Sequence, residues 1–457
     1  MMIVAAALAL LFLVVTFPRR AVGLRGYAVG LSIFVLGIGA STSAPEAIRY
    51  ASTGIAAVFL ILAWAFSERT RPRKRSRLVL LAWFVWTTGV SLLISSSPPA
   101  AVLALIVVPL LLFPVVSRLG EQDLVPLLRW TALTVLVQVA VGIAELTVLA
   151  EPIWGYRNLT TAGLPVIRYN PFLPGLIRIQ GTTGHPIIFS LIVMFSFFLI
   201  LALGSKLSRT VRLLSLGTAI VGLLLSGTRS AFVAAAVGFV VYLFFAPTTG
   251  TRVKNVLIII GAGVAIFLGD FGLSTVATQA ATSDSFGHRL EGWANADQLL
   301  HRGSPTGAIG SGFFSELSIF AQGLLQRDGF LVIDNHFIWT LAISGGIGLA
   351  LMVLAMGGAW VDSDRLGRAQ VAVLLAMAFS FDLMTWVVSV SIFVISLTLP
   401  PDLIALARSA PSREAEPPPD LAGRAEASAR RGPHPHEDPP PSRAVTARHS
   451  RTRPDLT

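Results

Sequence analysis

The chain has 457 residues, 54% hydrophobic and only 13% charged, with a mean hydropathy of +0.73 and a formal net charge of +11. A soluble protein carries about a quarter charged residues, so a soluble globular fold is excluded. Most of the basic excess sits in short loops between apolar blocks, which argues against nucleic acid as a partner. The lack of cysteine excludes disulfides, thiolate metal sites and cysteine nucleophiles.

In chain order, apolar blocks long enough for one bilayer crossing each fall near 2–17, 27–43, 51–66, 78–95, 99–117, 130–149, 186–204, 211–226, 229–246, 255–270 and 336–358. The stretch 370–407 reads as two more, folded at Asp382–Trp386. Residues 1–17 have no basic start and no small-residue cleavage site, so no cleavable signal peptide is expected. Backbone polar groups in lipid need internal partners, so the spans must be helices. The expectation is an all-α polytopic transmembrane helical protein of about twelve to thirteen spans. Three regions follow: N-terminal transmembrane helices (1–128), a transmembrane core (129–407) holding a helical outer loop (271–335), and a Pro/Arg-rich tail (408–457) expected to be disordered and cytoplasmic.

Arginine and lysine in short loops set orientation. The loop 67–77, SERTRPRKRSR, is the clearest cytoplasmic one. Counting from it, the loops with Arg19/Arg20/Arg25, Arg118/Arg129, Lys206/Arg209/Arg212, Arg252/Lys254 and Arg365/Arg368 fall on the same side. The other side holds 150–185, 271–335 and three tight turns. Eight arginines lie there against the rule: Arg49, Arg157, Arg168, Arg178, Arg229, Arg289, Arg302 and Arg327. A guanidinium matches phosphate oxygens in pairs, so an anion at the outer membrane surface is a natural reason for them.

Three outer segments draw attention. In GLIRIQGTTGHPIIFS (175–190), Arg178 precedes a glycine-containing turn and His185-Pro186 opens a span, whose free N–H groups can face an anion. In LLLSGTRSAFVAAAV (223–237), Arg229 sits at the join of two spans, where it either meets an anion or snorkels to headgroups. The third segment runs from HRLEGWANADQLL (288–300), where Arg289 and Trp293 share a helix face, through GAIGSGFFSE to DNHFIWTLAISGGIGL (334–349). Glu145 and Asp382 lie in or near spans, where an isolated acid is more often structural. The DSD at 362–364 lacks the nucleotide-binding fold that a metal-binding DxD requires. A transporter would show repeated halves and broken helices near the midplane; no repeat is visible.

These motifs, in this order, resemble the O-antigen ligase/polymerase superfamily over about residues 130–400. The family's R-x-x-G-x-x-x-x-P is Arg178, Gly181 and Pro186; its S-R-S-like turn is SGTRSA; its R-x-x-x-W is Arg289 and Trp293; its G-x-G-x-x-F begins at Gly310 and Gly312. Its final motif, often His-Asn, is Asp334-Asn335 here, followed by His336, and H-P-N is His185-Pro186-Ile187. The resemblance implies a GT-C-like architecture in the cytoplasmic membrane with its active site on the extracytoplasmic face. It implies an inverting, metal-independent glycosyltransferase that polymerises or transfers a polyprenyl-diphosphate-linked glycan. Its partners would be that donor, a glycan or lipid-linked acceptor, and membrane lipids, with no cofactor and no nucleic acid. Arg178 and Arg229 would bind the diphosphate, with Arg289, Trp293, His185 and Asn335 contacting substrate. Asp334 or His336 would orient or deprotonate the acceptor. A lipid-glycan flippase, or another polytopic transporter, is the competing reading.

Overall fold

The computed structural model describes residues 22–66, 76–94, 99–156, 166–248, 250–255, 292–303, 305–325 and 332–408. The expected spans 2–17 and 255–270 (apart from Asn255), the tail beyond Arg408, and Arg157, Arg289 and Arg327 lie outside these residues. Within the described residues the fold is all-α, with one isolated bridge, Tyr169 to Ile177, as its only strand-like pairing.

The helices run α1 (Leu24–Gly39), α2 (Glu46–Phe66), α3 (Ser76–Ile94), α4 (Pro99–Val116), α5 (Glu121–Thr147), α6 (Pro186–Leu203), α7 (Arg209–Ser226) and α8 (Arg229–Phe244). After them come the short helices α9 (Ala296–His301), α10 (Thr306–Ile309) and α11 (Glu316–Ala321), then α12 (His336–Val361), α13 (Arg365–Ala378), α14 (Val387–Thr398) and α15 (Leu403–Arg408). Six are long and apolar enough to cross a membrane: α2, α3, α5, α6, α7 and α12. Shorter apolar helices are α1, the Ala101–Val116 part of α4, α8 and α14. The 370–407 stretch does break near Asp382–Trp386, as expected, but its second half is only a 12-residue helix, stopped ahead of Pro400-Pro401. At 1.5 Å per residue that is about 18 Å, short of a hydrocarbon core.

The core of the bundle is α6, whose apolar residues are buried almost all round. Its neighbours include α5, α7, α8, α13 and α14. Elsewhere small residues bring helices together: α1 packs on α5 through Gly26 and Gly30, four apart, where a Cβ would meet Asp123 O at 1.8 Å and Trp130 Cβ at 2.6 Å. The start of α5 lies nine residues ahead of the expected span. Asp123 explains it: its carboxylate accepts N–H bonds from Gly120 (2.9 Å) and Gly26 (3.2 Å), closing the helix start and tying it to α1.

Helix α12 is broken at Gly345, whose φ of 68° and ψ of −172° are non-helical. The carbonyls before the break are all taken. Arg302 Nη2 donates to Leu341 O (3.1 Å) and Ala342 O (2.6 Å), Ser311 N–H to Ala342 O (3.1 Å), Gly312 N–H to Ile343 O (2.9 Å), and Trp86 Nε1–H to Ser344 O (2.9 Å). The GAIGSG segment is therefore threaded against the break. A Cβ on Gly310 would meet Ile343 O at 2.1 Å, and one on Gly345 would meet Ala308 O at 2.2 Å. The glycines of two separate motifs thus serve one contact.

This contact predicts a contrast between two glycines. Gly345→Ala adds a left-handed penalty of about 1–2 kcal/mol to a backbone clash, so it should lower thermal stability in detergent clearly. Gly217 of α7 has open space around a built Cβ, so Gly217→Ala should be neutral or stabilising by up to about 1 kcal/mol. Equal melting temperatures for the two variants would contradict the contact.

Candidate active site at the helix ends

Residues 166–186 form a cap over the joint of α7 and α8. Asn170 sits at its centre. Its Nδ2 donates to Leu224 O (2.8 Å) and Leu225 O (3.0 Å), the last-turn carbonyls of α7, while its Oδ1 accepts N–H bonds from Phe172 (2.9 Å) and Leu173 (3.2 Å). Gly227 takes the left-handed conformation that ends α7 (φ 59°), and Asn170 Cγ lies 2.8 Å from where its Cβ would be. The SGTRSA turn therefore needs its glycine twice, for conformation and for clearance.

Arg178 seals the same joint. Its Nε donates to Ser226 O (2.9 Å) and its Nη2 to Thr228 Oγ1 (2.8 Å). Ser190 of α6 donates to Ser226 Oγ (2.9 Å), so α6 and α7 meet at the same level. From below, α5 holds the following turn: Glu145 Oε2 accepts N–H bonds from Gln180 (2.9 Å) and Gly181 (3.2 Å), and Gln138 exchanges bonds with Thr182 (2.6 and 3.1 Å). Glu145 is thus an anchor for the backbone ahead of α6.

Three arginines gather here. Arg168 and Arg178 lie directly opposite each other on the antiparallel pair flanking the Tyr169–Ile177 bridge, with Arg178 N–H donating to Arg168 O (3.1 Å). Arg229, half-buried at the first position of α8, is close enough for its charge to act on Arg178. Burial, followed by the charges of Arg168 and Arg229, pushes the Arg178 guanidinium down to about 10. It stays cationic at neutral pH. Like charges opposite each other on a strand pair are destabilising. None of the three guanidiniums forms an ion pair with a described residue. Arg168 was visible in the sequence as an outer arginine, but nothing local showed that a hairpin sets it opposite Arg178.

Two other arginines of the expected outer set lie among the described residues and sort differently. Arg49 pairs with Glu46 (3.7 Å), and Arg302 is the buried clamp of α12.

The other expected site residues lie along the neighbouring helix ends. His185 caps α6, its Nδ1 accepting the Ile187 N–H (3.2 Å), and its ring lies against Trp386 (5.9 Å). Asn335 caps α12, its Oδ1 accepting from Phe337 (3.0 Å) and Ile338 (3.1 Å). Asp364 of the DSD likewise caps α13 through Gly367 (2.9 Å). Trp293 is exposed and sits beside Phe337 (6.2 Å) and Phe379 (6.0 Å).

His336 and Asp334 separate sharply. The sequence offered both as the group acting on the acceptor. His336 has no exposed surface; its ring stacks on Trp339 (5.8 Å) and meets Trp83 and Phe393 edge-on. It is a core residue whose Nδ1 faces the Leu383 N–H (3.4 Å). Asp334, the residue just before the Asn335 cap of α12, is partly exposed. Nearby, Asp382 is buried, and that burial, with the charges of Glu316 and Asp334, raises its carboxyl from 3.8 to about 7, even though Thr385 N–H donates to it (2.7 Å).

Residues 214–353 match the family model described as O-antigen ligase. Searching curated proteins finds no match. The matched stretch holds Arg229, Trp293 and Asp334 through His336, while Arg168, Arg178 and His185 precede it.

The raised Asp382 carboxyl carries a pH signature. A group whose folded value exceeds its unfolded one contributes stability below the unfolded value and loses it as pH rises through the folded value. Its contribution should therefore lower the melting temperature between about pH 4 and pH 8, and Asp382→Asn should make that fall shallower, by a difference of order 1–4 kcal/mol at the alkaline end. Parallel pH profiles for wild type and variant would show that Asp382 is not the source.

Taken together, the all-helical membrane architecture, the ordered outer motifs and the match over residues 214–353 support the O-antigen ligase/polymerase superfamily as the family this chain resembles.

Proposed function

We propose that the protein is a membrane glycosyltransferase that transfers or polymerises a glycan carried on a polyprenyl diphosphate at the extracytoplasmic face of the cytoplasmic membrane. The observation that carries this reading is the cluster of Arg168, Arg178 and Arg229, three cations brought together at one end of the bundle with no described acid to pair with them. A carrier diphosphate supplies the missing negative charge. It arrives from the lipid side, where the ends of α7 and α8 lie.

In the proposed reaction an acceptor hydroxyl attacks the anomeric carbon with inversion. The bond from that carbon to the carrier phosphate breaks, and its electron pair leaves with the diphosphate. Fixed guanidiniums stabilise the growing charge without reorganising. The acceptor proton passes to a carboxylate. Asp334 fills this role in our reading, because His336 is closed off by Trp83, Trp339 and Phe393. Trp293, with Phe337 and Phe379, offers an aromatic face for a sugar ring at the start of α12.

A flippase would bind the same diphosphate. The broken helix α12 is the feature a transporter would use to hold an ion on free carbonyls. Here those carbonyls are occupied by Arg302, Ser311, Gly312 and Trp86, which favours the transferase reading.

The test is glycan transfer by purified full-length protein from a lipid-linked donor. Arg229→Ala and Arg178→Ala should each lower kcat by about 10²–10³. Asp334→Asn should lower kcat by about tenfold or more with little change in donor KM, while a folded His336→Gln variant should keep most of its activity. Full activity in Arg229→Ala protein that inserts normally would sink the assignment, and lipid translocation without transfer would favour the flippase.

A further inference from the structure

The opposite end of α7 carries a second cationic feature, which glycan transfer does not use. Between the end of α6 and the first turns of α7 lies a cavity of about 450 Å³ lined by Gly204, Leu207, Arg209, Arg212, Leu213 and Leu216 among others. Residues 209, 212, 213 and 216 are spaced i, i+3, i+4, i+7, so they form one stripe along the helix. The stripe is graded, with two guanidiniums at the helix start and leucines deeper in.

Other cations of the same side are satisfied within the protein. Lys206 Nζ lies 2.8 Å from Glu121, and Arg25 Nε 3.6 Å from Asp123. Arg365 covers the Tyr242 ring at 4.5 Å, and Arg368 the Phe245 ring at 4.3 Å. The guanidiniums of Arg209 and Arg212 make no hydrogen bond or ion pair with a described residue. Arg212 is nevertheless seated, its Cδ only 3.2 Å from where a Cβ on Gly204 would lie. Beneath the arginines Leu213 is 57% exposed, so the cavity is a cationic rim above an apolar wall.

That gradient matches a phospholipid at a membrane boundary. The phosphate meets arginine at the water side, and the acyl chain runs down the leucines. A free phosphate would use the rim and leave the wall open. A zwitterionic headgroup would bring its own cation to two unpaired guanidiniums. The first turn of α7 adds N–H groups favourable to an anion.

We propose that this cavity binds an anionic phospholipid of the cytoplasmic leaflet, its phosphate between Arg209 and Arg212 and an acyl chain along Leu213 and Leu216. The site lies a full helix length, about 27 Å, from the arginine cluster at the other end of α7. It rests on the membrane reading and its sidedness, and not on glycan transfer.

The test is native mass spectrometry of the full-length protein in detergent, titrated with phosphatidylglycerol or phosphatidylcholine. Phosphatidylglycerol should be retained in preference. In the double variant Arg209→Gln/Arg212→Gln its affinity should drop about thirtyfold, and in Arg209→Lys/Arg212→Lys it should largely persist. Equal retention of the two lipids, undiminished phosphatidylglycerol binding in the double glutamine variant, or displacement of the lipid by inorganic phosphate at similar concentration would each overturn the proposal. These residues lie outside the transfer site, so the binding readout stands apart from any transfer assay.

Discussion

One end of the bundle depends on how the 168–178 hairpin is fastened to the joint of α7 and α8. Asn170 bonds the last carbonyls of α7, and Arg178 bonds the Ser226 carbonyl and the Thr228 hydroxyl. Each removes a buried polar group that would otherwise cost about 1–3 kcal/mol. The same fastening sets Arg168 opposite Arg178 and brings both to Arg229. Stability of the joint and concentration of positive charge are therefore one feature. The fold accepts cationic repulsion at this spot because the guanidinium of Arg178 does structural bonding at the same time.

A second constraint is the broken helix α12. A helix interrupted inside a membrane bundle must have its freed carbonyls satisfied by protein. The loop ahead of α12 does this by sending Arg302 and the Gly310–Gly312 segment against the break. Burial holds the Arg302 guanidinium down to about 10, yet it remains the charged cap of the half-helix. Tying loop to helix in this way fixes the start of α12, where Asp334 and Asn335 stand.

Much of this was legible in the sequence, because hydropathy and charge act locally. Apolar blocks marked most helices, and the positive-inside rule singled out Arg168, Arg178, Arg229 and Arg302 as out of place. What could not be read were consequences of distant contacts. Ser344-Gly345-Gly346 marks a weak point in the helix, but not what it meets; the conformation of Gly345 answers to Ala308 and Gly310, more than thirty residues away. Arg302 looked like the other outer arginines until the carbonyls it caps were in view. His336 follows Asn335 and so looked catalytic, but its helix register turns it into an aromatic core. Arg168 lacked a partner until the hairpin supplied Arg178.

Arg168, Arg178 and Arg229 are proposed to hold a carrier diphosphate. The most direct measurement is the affinity of the purified protein for polyprenyl diphosphate, compared with polyprenyl monophosphate and the free polyprenol. Affinity should rise from alcohol to monophosphate to diphosphate, and Arg229→Ala should remove most of the rise. Equal affinity for all three lipids, or an unchanged rise in the variant, would contradict this assignment.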